Sequence, residues 1–544
     1  MNKLVDFLKK HYYLSTALLL FFSGPTFDVW ICKGFPLVAW FSMIPLFYYM
    51  KKETLKNAYI GAFITGLLGA FINYEWIGNF AGKQAGGYTT IVVLLVAFMA
   101  VFFAGRFFLA EVIARSFPGL RILVYPLIWV FIDWIQSIGY LAFPWSNIGY
   151  SQYPMTSLVQ SVSVIGILGL NFVMILWQAL LVEAVIQVRE KKIPPGELLR
   201  LTAVKGLIFL FTAIIIMTSW GFALLRTNDR PIKKDLRVTV IQSCISPWEN
   251  WRRNRFRYLR ELKKITEISL FEEPEFVIWS ESATLETISF SYARNSLNEF
   301  QKELLEYVRY MGRPLITGEI GIEKGPGPFA RYYPQNNAVL INKEGEVVKT
   351  YAKIHLVPFG EWFPYENIPF LGKRIKKITS AYGGSSFIPG QKPVLFDLKE
   401  RKFGVLVCYE GIFYRLCRQY RSLGAEYLIN ITNDGWTDKY RGHMQHFAAS
   451  IFRAIENGVW YIRAGNTGYT TIIDPYGRIR ESMPILKKGY IAGNLDFSFN
   501  HSTFYTASGD ALQYLLVGAA FFLIGAWLVR LMLLKKKEKG EQKS

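Results

Sequence analysis

Gly404-Val-Leu-Val-Cys-Tyr-Glu-Gly-Ile-Phe413 runs three branched apolar residues directly into Cys408, with Tyr409 and Glu410 behind it. Such a run reads as a strand buried on both faces. A thiol at its tip is either core packing or a nucleophile. The other cysteines are Cys32, Cys244 and Cys417, and no spacing among the four resembles a zinc site or a disulfide framework. Cys244, Cys408 and Cys417 are therefore expected as free thiols.

Two further motifs read as strand ends, and the first of them sets a polar group just beyond an apolar run. Val277-IWSESAT carries Glu281, and Thr350-YAKIHLVPFGEWFP carries Lys353 and Glu361. A free thiol, with a pKa of about 8.5, is only a few per cent thiolate at neutral pH. A carboxylate in a dry pocket has the raised pKa that suits a base, and an ammonium beside it favours thiolate and oxyanion alike. Spacing alone leaves open whether the three groups meet, and a buried cysteine or a loop carboxylate is ordinary by itself.

The surrounding 544 residues are 51% hydrophobic and 16% aromatic, with a net charge of +21. That much apolar sequence points to membrane spans, and in such a chain basic residues set topology rather than bind nucleic acid. Seven apolar runs lie near 12–24, 34–50, 57–77, 89–112, 119–138, 160–187 and 205–225, and an eighth spans 512–534. The first is not read as a signal peptide, because it lacks a small-residue cleavage site and more spans follow. With the N-terminus cytoplasmic, the inner segments hold Lys3, Lys9, Lys10, Lys51, Lys52, Lys56, Arg115, Arg121, Arg189, Lys191, Lys192 and Arg200. The outer loops hold Lys33 and Lys83. This asymmetry puts residues 228–508 outside, with both termini inside. The expected domains are 1–227 (seven spans), 228–508 (outer catalytic domain), 509–534 (C-terminal span) and 535–544 (basic tail).

The outer segment carries short β-rich runs beginning at Arg237, Phe276, Pro314, Asn337, Phe403, Tyr427 and Thr470, with helical stretches at Arg252–Leu270 and Ser296–Met311. These predict a layered α/β or α+β domain.

The ordered phrases WSESA, YAKIHLVPFGE and VLVCYEG resemble the nitrilase superfamily, and more closely its membrane-embedded branch, the apolipoprotein N-acyltransferases. Phe143–Pro154, ITNDGWT (Ile431–Thr437), His443–Gly458 and Ala464–Thr470 are similar to that branch as well, so the resemblance covers essentially the whole chain. It implies eight transmembrane helices, seven N-terminal and one C-terminal, plus a nitrilase-like α-β-β-α sandwich. It implies a Glu281–Lys353–Cys408 triad, with Glu281 the base, Lys353 the electrostatic partner and Cys408 the nucleophile. Glu361, Tyr409 and Glu410 are implied as supporting residues, with the N–H after the cysteine as an oxyanion donor. Trp251, Trp362, Phe363 and Trp436 are implied as substrate-binding. No metal or other cofactor is implied. The implied activity moves an acyl chain from a phospholipid, through a Cys408 thioester, to the N-terminal amine of a diacylated apolipoprotein. The implied setting is the bacterial inner membrane, with a periplasmic catalytic domain, no nucleic-acid partner and a monomeric chain.

Rival readings come from the same residues. His355 shares a strand face with Lys353 and is an alternative base. His443 and His446 are read as helix packing rather than metal ligands. A membrane-anchored amidase shares the triad. A lipid-binding scaffold or transporter fits the charges Glu75, Arg106, Glu111, Asp133 and Glu183, but these are read as lying near span ends and reaching for the interface. Aromatic and basic residues within Phe359–Pro389 predict a lipid-facing loop, with Gly383, Gly384 and Gly390 as lid hinges.

Overall fold

The apolar run ending at Val407 is the second half of strand β7 (Arg401–Val407), which stops on the residue before Cys408. In the computed structural model, residues 11–23, 35–77, 88–139, 141–145, 147–324, 332–358, 360–362 and 387–541 are described. Strand β7 runs parallel to β8 (Tyr427–Thr432), with Val405 opposite Ile429 and Val407 opposite Ile431. β9 (Trp460–Gly465) continues the parallel set. With β6 (Leu395–Leu398), β10 (Thr470–Ile473) and β11 (Ile479–Met483) the sheet has the order β11-β10-β9-β8-β7-β6.

A second sheet has the order β12-β1-β2-β3-β4-β5. Its strands are β1 (Leu236–Gln242), β2 (Phe276–Ile278), β3 (Leu315–Lys324), β4 (Tyr332–Ile341), β5 (Val347–Ala352) and β12 (Gly489–Leu495). β1, β2 and β3 are mutually parallel, and β4, β5 and β12 join antiparallel. The sheets pack face to face: Phe276 of β2 and Phe403 of β7 have ring centroids 5.6 Å apart. Helices Trp251–Ser269 and Glu299–Met311 cover this second sheet, burying Leu259, Leu262, Phe300 and Leu304 against Val277, Leu315 and Val339. The second of these helices starts at Glu299, inside the expected stretch Ser296–Met311, because Asn298 and Gln301 form a reciprocal cap, and it stops at Gly312, whose φ is +64°. Helices Tyr414–Ser422 and Tyr440–Asn457 cover the other sheet. The result is a helix–sheet–sheet–helix sandwich.

The described residues divide into two units, 1–75 with 89–223 and 508–544, and 76–88 with 224–507. The first unit is helical. Among the described residues, Leu55–Ile77, Val96–Ser116, Pro118–Ile135, Val162–Glu190, Thr202–Thr227 and Ala511–Lys539 are long and apolar enough to cross a membrane, six helices in all. The other two expected spans fall on shorter elements. Helix Tyr12–Ser23 has 12 residues, which is about 18 Å against the roughly 30 Å of a bilayer core. The run 34–50 divides into a 3-10 turn, Pro36–Trp40, and a nine-residue helix, Ile44–Lys52. Pro36 and Pro45 explain the break: each lacks an N–H and sits in the first turn of its own segment.

Three of the span charges, Arg106, Glu111 and Asp133, correct the interface reading, whereas Glu75 is exposed at the end of its helix. Arg106 and Asp133 are 4% and 3% exposed and pair at 3.1 Å. Asn171 Nδ2 donates to Asp133 Oδ2 at 2.8 Å, and Arg106 Nη2 to Gln136 Oε1 at 2.8 Å. Glu111 is fully buried and binds Arg115 and Arg121 at 2.7 and 2.8 Å. These groups turn inward onto one another, because a charge left facing hydrocarbon is costly and pairing within the bundle offsets that cost.

Candidate active site

Each central residue follows the carboxyl end of a strand. Glu281 lies just past β2, Lys353 follows β5, Cys408 follows β7, and Asn433 follows β8. Gly318 on β3 permits the first placement. A Cβ there would lie 2.7 Å from Ser282 N and 3.0 Å from Glu281 Cα, closer than backbone tolerates. Gly318→Ala is therefore expected to displace Glu281 and lower turnover by about tenfold or more, with little loss of folded protein. Steady-state kinetics beside a thermal melt checks this.

The carboxylates and the ammonium form one knot. Lys353 Nζ lies 2.8 Å from Glu361 Oε1 and 3.9 Å from Glu281 Oε1. Asn336 Nδ2 donates to both acids, at 2.7 Å to Glu281 Oε1 and 2.7 Å to Glu361 Oε1. The remaining oxygens take backbone N–H groups: Asn433 to Glu281 Oε2 at 2.8 Å, and Val357 to Glu361 Oε2 at 2.8 Å. Lys353, Glu281 and Cys408 are 1%, 5% and 8% exposed.

Burial raises the pKa of Glu281 and outweighs the pull of Lys353, while Glu361 adds repulsion. Burial and the Glu281 carboxylate push the Cys408 thiol up, against the pull of Lys353. Burial works against the charge on Lys353, but Glu361, Cys408 and Glu281 together hold it above its usual value, so it stays an ammonium. The resting site is thus a protonated thiol beside a basic carboxylate and a permanent cation. That set can activate a nucleophile and stabilise an oxyanion.

Cys408 has φ +51°, a left-handed conformation unusual for a non-glycine residue. Glu410 ties this corner to the Lys353 segment. Its Oε1 accepts from Tyr351 Oη at 2.8 Å and from the N–H groups of Ile354 at 2.7 Å and His355 at 3.1 Å, and its Oε2 accepts from Val407 N at 2.8 Å. Burial pushes Glu410 up to about 7 despite these donors.

Residues 16–180 match the family model described as apolipoprotein N-acyltransferase N-terminal domain, and residues 266–502 match carbon-nitrogen hydrolase. An apolipoprotein N-acyltransferase of Geobacter metallireducens is 27% identical, covering 90% of each chain. One from Brucella melitensis is 29% identical, covering 87% of this chain and 88% of its own. Over most of its length the chain is similar to apolipoprotein N-acyltransferases. An amidase of known structure from Nesterenkonia is 17% identical, with a TM-score of 0.37, and covers 52% of this chain and 97% of its own. That similarity and the six apolar helices among the described residues together point to a membrane-embedded bacterial protein.

The other expected site residues scatter. The His355 ring lies flat on Phe413, with centroids 3.9 Å apart and planes at 4°. Burial and Lys353 lower His355 to about 4, so it is neutral at pH 7. Tyr409 is buried and meets Phe413 edge-on at 5.2 Å. Trp251 stacks on Tyr258 at 5.5 Å and meets Phe300 edge-on, as part of the core under the second sheet. Trp362 is 8% exposed and donates Nε1 to Leu356 O at 3.3 Å. Trp436 packs on Trp76 at 5.2 Å, and Trp76 Nε1 donates to Gln445 Oε1 at 3.0 Å. Phe363 and most of the expected loop Phe359–Pro389, with Gly383 and Gly384, lie outside the described residues.

Sequence reasoning missed Asn336, Asn433 and the partners of His446. Asn336 left a signal: asparagine is depleted from strands, yet Gln335-Asn336-Asn337 sits mid-strand in β4 and is largely buried. His443 Nε2 lies 3.0 Å from Thr437 O, and His446 lies between Asp434 and the Cys408 carbonyl.

Proposed function

We propose that this chain transfers an acyl chain from a membrane phospholipid to the N-terminal α-amine of a diacylglyceryl-modified cysteine, giving a triacylated lipoprotein. The observation that carries the reading is the meeting of Glu281, Lys353 and Glu361 in one buried knot acting on Cys408. Glu281 takes the thiol proton, and the sulfur attacks the ester carbonyl of the phospholipid. Lys353 and the Tyr409 N–H stabilise the oxyanion. The carbonyl–oxygen bond breaks, Glu281 returns the proton to the departing glycerol oxygen, and a lysophospholipid leaves behind a thioester. In the second half Glu281 takes a proton from the incoming amine, the amine displaces sulfur, and Cys408 regains a proton. Both halves share one site, so the kinetics are ping-pong. Glu361 and Asn336 hold Lys353 and Glu281 in register, and Glu410 holds the corner at Cys408.

The acyl chain itself shields the thioester from water. Eight crossings fit this chemistry, since neither substrate leaves the bilayer. The short segments Tyr12–Ser23 and 36–52 count as a pair, so five or seven crossings before residue 224 leave the catalytic unit on the same side. The basic residues of the inner segments make that side the periplasm and both termini cytoplasmic.

Incubating the purified protein with phospholipid and a diacylated lipopeptide tests the function. An amide-linked third acyl chain on the lipopeptide is expected. Lysophospholipid without an acylated peptide would instead indicate a lipase, and neither product would refute the reading. The pH dependence of acyl-enzyme formation supplies a second check. Glu281 must be ionised to act, and burial raises its pKa. The rate is expected to fall as pH drops through that raised value, which lies above the ordinary glutamate pKa of about 4.3.

A further inference from the structure

Behind the nucleophile lies a buried polar cluster that the steps above leave unused. The Cys408 carbonyl oxygen has two side-chain partners, His446 Nε2 at 3.1 Å and Asn430 Nδ2 at 3.1 Å. A carbonyl only accepts, so His446 carries a hydrogen on Nε2. His446 Nδ1 lies 2.8 Å from Asp434 Oδ1 and 3.0 Å from Arg463 Nη2. Arg463 also donates to Asp434 Oδ2 at 2.6 Å and to Asn430 Oδ1 at 2.8 Å. Asn430, Asp434, His446 and Arg463 are each 2% exposed or less. Burial opposes the charge on Asp434, but Arg463 and His446 hold its carboxyl well below the usual range. The cluster is therefore an ionised, locked frame whose free end is the grip on one carbonyl.

That carbonyl matters because a peptide group is a rigid plane with C=O and N–H trans. Fixing the oxygen of Cys408 fixes the direction of the Tyr409 N–H. Donors on the oxygen also polarise the group and strengthen its N–H as a donor. The grip is needed here, since Cys408 sits at φ +51°, a conformation that persists only when its surroundings hold it.

We infer that His446, oriented by Asp434 and Arg463, is a positioning residue for acyl transfer: with Asn430 it holds the Cys408 carbonyl and so aims and strengthens the oxyanion-binding N–H of Tyr409. The inference rests on the reading above that this N–H receives the oxyanion.

Two rates at Cys408 separate this role from mere support of the fold. Acylation by dipalmitoyl phosphatidylethanolamine in detergent micelles needs the oxyanion donor. Alkylation by iodoacetamide needs the thiolate and no oxyanion. Both are followed by intact mass on the full chain. His446→Phe is expected to slow acylation by about tenfold or more and to leave alkylation within about threefold. His446→Gln, which places an amide N–H near the Nε2 position, is expected to recover most of the acylation rate. The inference is overturned if acylation is unchanged in His446→Phe, if both rates fall in step, or if His446→Gln recovers nothing. Should the unsubstituted protein acquire no acyl group at Cys408, the functional reading itself fails and takes this inference with it.

Discussion

Replacing Cys408 with alanine is expected to lower acyl transfer by about 10⁴-fold or more, with the protein still folded. The argument is one of supply. Acyl exchange through a covalent intermediate needs a nucleophile held beside Glu281 and Lys353, and Cys408 is the group that both act on. Serine is no substitute. The burial that raises the thiol raises a hydroxyl too, and an alkoxide starts from a far higher pKa than a thiolate. Cys417 offers no second route, since it is fully buried on the helix after the elbow and burial pushes it up to about 12. Lysophospholipid release and lipopeptide acylation, measured together, check the prediction. Residual transfer above about one part in a hundred would point to another nucleophile.

Lys353→Met carries the second large effect, and it falls on both activity and stability. The ammonium is buried, 2.8 Å from Glu361 and 3.9 Å from Glu281. Removing it leaves two carboxylates sharing Asn336 in a dry pocket. Breaking a buried ion pair on one side costs roughly 3–5 kcal/mol. The two acids are expected to relieve the repulsion by binding a proton, so the base is disarmed while the oxyanion also loses its cation. Turnover is expected to drop at least about 10³-fold, with a clear fall in melting temperature. Glu361→Gln beside Lys353→Met restores part of the stability, because one negative charge goes with the positive one, but it restores no activity. His355→Ala is the control. Its ring lies against Phe413 and is neutral, so activity is expected to change by no more than a few fold, whereas a loss as large as that of Lys353→Met would make His355 the base.

The strands were legible where β-branched and apolar residues run unbroken, as in Arg237–Gln242, Phe403–Val407 and Tyr427–Thr432. β9 was not, because Trp460–Gly465 carries Arg463 in a buried position that no local pattern distinguishes from a surface arginine. β5 was missed for the opposite reason: Val347–Ala352 includes Lys349, on a strand that has only one neighbour. The first unit shows the same limit. Hydropathy reads 34–50 as one span, whereas Pro36 and Pro45 divide it.

The site was legible as motifs and not as geometry. Glu281, Lys353, Glu361 and Cys408 stand within recognisable phrases, and all but Glu361 lie just past a strand. Asn336 and the Asp434–His446–Arg463 frame carry no phrase of their own. Their positions depend on which strands become neighbours: Asn336 reaches the acids from β4, and Arg463 of β9 reaches Asn430 of β8. Such long-range pairing is set by the packed sheets, and one-dimensional spacing does not encode it.

The central claim is that one thiol holds the acyl chain between two substrates. Peptide-mapped mass spectrometry of the protein after exposure to a phospholipid of defined chain length, with no acceptor present, tests it most directly. The account predicts a hydroxylamine-labile acyl group on Cys408 whose mass follows the chain supplied and which disappears when lipopeptide is added. An unmodified Cys408, or an acyl group on any other residue with transfer still proceeding, would contradict it.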